Sequence, residues 1–142
     1  MKILFVHKYG EGDFEVERLW CTPVRDNIYI VDNIPFVVKN IALGDTITAE
    51  FDEEENEYYF DAFVEVSGNS TIRLYFEDPR LIDEVRKQLN EFGCESELFL
   101  QRKIVAVNVP KLVSYKEIKS YLDNGEAKNL WDYEESCLAH DY

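Results

Sequence analysis

Between Ser67 and Ser70 the hydrophobic pattern of this chain changes its period, and that change limits the folds open to it. Upstream, apolar and polar residues alternate, the two-residue repeat of half-buried strands. The clearest case is a hairpin. Ile47, Ala49 and Phe51 alternate with Thr46, Thr48 and Glu50, and the turn is the acidic run Asp52 to Asn56. The return strand sets Tyr58, Phe60, Ala62, Val64 and Val66 against Glu57, Tyr59, Asp61, Phe63 and Glu65. This predicts one apolar face and one acidic face carrying two aromatics. Ile3 to His7, Phe14 to Trp20 and Asn27 to Asp32 read as further strands between turn formers. Pro35 lacks a backbone donor, so Ile34 to Val38 is an edge strand or a loop. Short strands in this succession predict a small antiparallel barrel.

Downstream, strand and helix periods mix. Thr71 to Phe76 is a strand with Ile72, Leu74 and Phe76 on one face. Asp78 and Pro79 open a helix as N-cap and first helical residue, Leu81, Ile82, Val85, Leu89 and Phe92 keep its spacing, and Gly93 closes it. Glu97 to Leu100 and Ile104 to Val109 read as strands. Ser114 and Glu117 form a capping box for a second helix with the stripe Tyr115, Ile118, Tyr121 and Leu122, ended by Asn124-Gly125. Leu130 to Tyr133 is a last short strand. The order βαββα(β) is that of a ferredoxin-like unit. The expected fold is α+β, with a barrel-like subdomain over 1–68 packed on a ferredoxin-like subdomain over 69–142.

Charge then narrows the function. With 29 acidic against 15 basic residues the net charge is -14, which repels nucleic acid and anionic membranes and attracts basic proteins. Direct nucleic-acid binding is not expected: adjacent basic residues are few, Arg102-Lys103 among them, and the strands lack the aromatic signature of RNA-binding sheets. Three widely spaced cysteines, Cys21, Cys94 and Cys137, fit a reducing cytoplasm better than a disulfide framework. Neither a signal peptide nor a membrane span is expected.

Three stretches together carry a family resemblance: Val31 to Phe36 running on to Ala42-Leu43-Gly44-Asp45, Ser67 to Arg73, and Trp131 to Glu135. The chain resembles, from about Phe14 to Leu138, a bacterial family described only as a domain of unknown function, number 4265. The resemblance implies a bacterial origin and brings no activity, cofactor or site residues. A histidine is common in that family where Asn69 stands here.

The residues leave two places for function. The first is the acidic hairpin: Asp52, Glu53, Glu54, Glu55, Glu57, Asp61 and Glu65 as charge, with Tyr59 and Phe63 as aromatic anchors for a basic protein. This makes the expected function that of a non-enzymatic cytoplasmic inhibitor, an immunity protein that neutralises a basic, nuclease-type toxin by occluding its active site. A solvated tip whose charges prevent strand aggregation is the competing account. The second is Ser67, Asn69, Ser70 and Arg73, a turn whose donors suit an anion, for a small-ligand regulator or weakly marked enzyme with a pocket at the junction of the halves. No cofactor or metal is expected. The acidic turn lacks the glycine and spacing of a calcium loop, and the cysteines and histidines lack zinc spacing. Cys137 and His140 would share a helix face, a pairing more often incidental than nucleophilic. His7 reads as a structural residue of an apolar strand.

Overall fold

The computed structural model describes residues 1–141. Strands β1 (Lys2–Gly10), β2 (Asp13–Arg25), β3 (Ile28–Val31), β4 (Thr46–Asp52) and β5 (Glu57–Glu65) form a closed barrel. Neighbours pair antiparallel, and β1 closes the ring by running parallel to β5, with Leu4 opposite Tyr59. Its interior holds Ile3, Phe5, Leu19, Val31 and Ile47, all fully buried.

The second half contains β6 (Ser70–Tyr75), α1 (Ile82–Glu91), β7 (Glu95–Phe99), β8 (Ile104–Val109), α2 (Lys116–Ala127) and β9 (Asp132–Cys137). The sheet order β7-β8-β6-β9, antiparallel throughout, is the ferredoxin-like arrangement. Asp78 caps the turn before α1 by accepting from the Arg80 amide, as its place before Pro79 predicts. Ile72, Leu74, Val105 and Val107 meet Val85, Leu89, Ile118 and Leu122 in one apolar layer, so both helices cover one face of the sheet.

The other face carries the alternate residues Thr71, Arg73 and Tyr75 and is crossed by residues 32–45, a strap of irregular backbone. Strap carbonyls must find donors, and the sheet supplies them. Thr71 Oγ1 donates to the Ile41 carbonyl at 3.0 Å, and Arg73 Nη1 donates to the Val38 carbonyl at 3.1 Å. From the barrel side, Glu17 accepts the amides of Phe36 at 2.7 Å and of Val37 and Val38 at 3.0 Å. Buried Asp45 ties the strap end to the linker by accepting the amides of Ala42 and Ser67.

Glu17→Ala is expected to lower stability by about 2–4 kcal/mol, because three amides lose one charged acceptor. Denaturant unfolding measures the loss, and hydrogen exchange should speed up first at Phe36, Val37 and Val38. An unchanged midpoint would show that the strap is not held from the barrel side.

Several local expectations are corrected, among them the Ser114–Glu117 capping box, which does not form: α2 begins at Lys116, and Ser114 Oγ accepts the Lys116 amide at 3.4 Å. The second helix does not stop at Asn124-Gly125 but runs to Ala127, and Asn129 supplies the left-handed residue (φ 59°) behind it. Gly125 is there for a close approach: a Cβ would lie 1.8 Å from Trp131 Cζ2. The β4–β5 alternation breaks at two bulges, which place Ala49 opposite Phe60 and Ile47 opposite Phe63. Directly opposed residues share a face, so Phe63 joins Phe60, their rings 5.2 Å apart, rather than Tyr59 and Asp61. Finally, Cys137 ends a strand and His140 follows it in irregular chain, so no helix face joins them.

Candidate functional site

The acidic hairpin projects as a two-stranded ribbon with its turn over 53–56 and Asn56 in the left-handed region. Asp52 caps the turn, its Oδ1 accepting the amides of Glu54 and Glu55. Tyr59 stands on the outer face opposite Glu50, and its hydroxyl donates to Glu55. That bond, more than its slight burial and the surrounding carboxylates, raises the phenol above its ordinary range. Asp61 sits at a bulge and accepts from Thr48 Oγ1. Among the described residues, Arg18–Glu57 at 4.0 Å is the one ion pair reaching a carboxylate of this hairpin. Phe63 is 42% exposed at the barrel rim, beside exposed Val64 and Val66. The hairpin therefore brings Asp52 to Glu57, Tyr59 and Asp61 to one projection and leaves Phe63 on a separate strip.

The Ser67 to Ser70 turn is internally saturated. Ser67 Oγ accepts the Asn69 amide, and the Asn69 side chain donates to the Leu43 carbonyl and accepts the Lys111 amide. Ser70 Oγ bonds His140 Nδ1 and accepts the Ala139 amide, while His140 Nε2 meets the Pro110 carbonyl. Gly68 lies under the Lys111 side chain, where a Cβ would come within 2.7 Å of Cδ. This network seals the linker against the C-terminal segment, and Arg73 is not part of it.

Arg73 instead forms the floor of a cleft between three elements: the β1–β2 arm, the strap and the open face of the sheet. The arm contributes His7, Tyr9 and Glu15, and the strap contributes Phe36 and Lys39. Tyr75, Arg102 and Glu134 complete the polar lining. Arg73 is 1% exposed, and its Nε donates to Glu134 Oε1 at 2.7 Å. Tyr75 donates to the same oxygen, and Lys39 Nζ stands 3.8 Å from Oε2. Burial pushes the Glu134 carboxyl up, but the bonds from Tyr75 and Arg73 and the charges of Arg73 and Lys39 outweigh it, so the carboxyl ends below its ordinary value. Burial, then the bond to Glu134, push the Tyr75 phenol up to about 12. At the mouth Arg102 pairs with Glu15 and lies over the Phe99 ring, and His7 stacks on Tyr9 at 5.9 Å.

A second cleft of about 580 Å³ lies where the strap meets α1 and β7. Its Arg86 is committed to the Ser96 hydroxyl and carbonyl. Glu97 there is raised, chiefly by burial, and Asp32, Glu17 and Glu95 add to the effect while Arg86 opposes it. Cys21 and Cys94 are buried thiols, each pushed up to about 11 by burial, which removes them from nucleophilic chemistry near neutral pH. Among the described residues no group of three or more histidine, cysteine, aspartate or glutamate side chains is placed to hold a metal ion. Among them, too, no helix is long and apolar enough to cross a membrane.

The family model described as "Domain of unknown function (DUF4265)" matches residues 17–133, most of the chain. The chain belongs to the DUF4265 family. A crystal structure of a hypothetical protein from Neisseria gonorrhoeae has the same fold, with a TM-score of 0.81 over 99% of this chain and 96% of that one, at 23% identity. No curated protein matches the chain. The DUF4265 match includes the strap, the linker turn, Arg73 and Tyr75, but it runs from Glu17 to Tyr133 and so leaves out the arm residues His7, Tyr9 and Glu15 as well as Glu134. Sequence reasoning names Arg73 and a pocket at the junction of the halves but misses the other lining residues, because they come from five separate stretches. The signal available was Arg73 itself, a charge within an otherwise apolar strand pattern.

Proposed function

We propose that this chain is an acidic, non-enzymatic cytoplasmic protein that inhibits a basic protein, in the manner of an immunity protein that occludes the active site of a nuclease-type toxin. The observation carrying this reading is the β4–β5 hairpin, whose carboxylates project with a single 4.0 Å ion pair among the described residues and with Tyr59 in their midst. Unpaired carboxylates of one sign raise the association rate with a cationic surface, and an aromatic among them supplies the apolar contact that slows dissociation. The strip of Phe63, Val64 and Val66 extends the contact around the barrel rim.

The test is capture from the native host at low salt, followed by elution with rising salt and identification of what leaves the column. A basic protein released steeply by salt is the expected result. Tyr59→Ala should then weaken binding by about 2 kcal/mol, against a few tenths for any single carboxylate among Asp52, Glu53, Glu54, Glu55, Glu57, Asp61 and Glu65. Phe63→Ala reports whether the rim is covered as well. Parental affinity in both aromatic variants would remove the hairpin from the interface.

A further inference from the structure

We infer that the cleft over Arg73 is a binding site for a small organic anion that carries a planar ring. The site is independent of the acidic hairpin. It replaces the linker turn, whose polar groups are already bonded to one another, as the small-ligand site of this fold.

The first argument is charge. Within a chain of net charge -14, this cleft of about 320 Å³ gathers Lys39, Arg73 and Arg102 against Glu15 and Glu134. Three cations against two carboxylates give the cleft a local excess of positive charge in a chain of net negative charge.

The second argument is the state of Arg73. A buried guanidinium is tolerated when its donors are satisfied. Nε is taken by Glu134 and Nη1 by the Val38 carbonyl, and Tyr75 also meets the guanidinium, so Arg73 lends its charge to the cleft from a position fixed on several sides. Glu134 is not free to supply more, since it already receives Arg73, Tyr75 and Lys39. An anionic oxygen above Arg73 would meet this fixed charge and also Lys39, whose side chain is 54% exposed at the mouth.

The third argument is shape. The walls that are not charged are flat or apolar: Tyr9, which is 62% exposed and stacked on His7, then Phe36 and Ile104. Phe36 is itself braced edge-on by Phe99 at 5.6 Å. A ring lying against Tyr9 and Phe36 buries apolar surface on both sides, while its carboxylate or phosphate reaches the cations.

The test is a two-dimensional NMR titration of the full chain with phenyl phosphate, benzoate, inorganic phosphate and phenol as separate probes. Phenyl phosphate or benzoate should shift signals of His7, Tyr9, Lys39 and the Arg73 Nε–H saturably and together, with phenol and inorganic phosphate each binding at least about tenfold more weakly. Lys39→Glu should weaken phenyl phosphate at least about tenfold, and Arg102→Ala and Tyr9→Ala should each weaken it several-fold. These three side chains are solvent-accessible, so the variants are expected to keep the parental spectrum elsewhere. Tyr59→Ala should leave the titration unchanged, which separates this site from the hairpin. The proposal is overturned if no probe saturates, if the shifts fall outside the arm, strap and sheet, or if Lys39→Glu binds like the parent. Inorganic phosphate binding as well as phenyl phosphate would overturn the planar part of the ligand.

Discussion

Gly125→Ala is expected to lower stability by about 3 kcal/mol or more, although alanine is the better helix former by about 1 kcal/mol. The new methyl would sit 1.8 to 2.3 Å from Cζ2, Cε2 and Cη2 of Trp131, a rigid ring with 6% exposure. Trp131 cannot retreat without loss: its Nε1 donates to the Leu122 carbonyl at 3.1 Å, and its ring packs on Tyr121 at 5.4 Å and Phe76 at 6.0 Å. The helix must therefore lift from the sheet or the indole must leave its slot, and either opens the layer containing Leu122. Thermal unfolding should shift down by on the order of 10 °C for a domain of this size. The second tryptophan, Trp20, is half exposed, so a red shift of the remaining buried emission reports Trp131 directly. Trp131→Phe in the Gly125→Ala background removes the clashing atoms and should recover part of the loss, a coupling that a pure propensity effect cannot produce. A Gly125→Ala variant as stable as the parent would mean that the helix and the indole do not meet as described.

How much of this was legible beforehand follows from the range of each interaction. The barrel strands, the capped first helix and the ferredoxin-like order follow from period and turn chemistry, which are local, and the Asp78-Pro79 helix start is the plainest case. A glycine near a helix end usually marks the end, whereas Gly125 answers a tryptophan six residues on. Strict alternation puts Phe63 on the acidic face because it runs straight through the bulge at Asp61, and a bulge has no residue signature strong enough to reveal itself in one sequence. Ser67, Asn69, Ser70 and Arg73 were grouped because they are adjacent in the chain, yet pairing of β6 on both sides sends them into different networks. The cleft residues His7, Lys39, Arg102 and Glu134 are brought together by strand order and by the strap, which no local pattern encodes.

Arg73→Met should cost about 3 kcal/mol, toward the low end for breaking a buried ion pair. Methionine fills much of the volume, but the Val38 carbonyl loses its Arg73 donor and Glu134 loses its closest cation. Part of the damage is contained, because Glu134 keeps Tyr75 and Lys39 and its side chain is 31% exposed. Adding Glu134→Gln to Arg73→Met should therefore recover stability, since the stranded charge is removed, whereas Glu134→Gln alone should destabilise by leaving Arg73 uncompensated. The acid limb carries an independent readout. In the folded chain the Glu134 carboxyl lies below its ordinary value of 4.5, so its contribution is fully present above that value and is lost as the pH falls through the lower folded value. The parent should lose this increment below about pH 4.5, and Arg73→Met, which keeps the Tyr75 bond but loses both the hydrogen bond and the charge of Arg73, should show a shallower loss there. Equal slopes in the two chains would detach Glu134 from Arg73. Because Arg73 also holds the strap at Val38, hydrogen exchange in Arg73→Met should rise at Phe36 to Val38 as it does in Glu17→Ala. The same strap segment is then gripped from the barrel by Glu17 and from the sheet by Arg73, which makes it the element that joins the two halves and fixes the walls of the cleft between them.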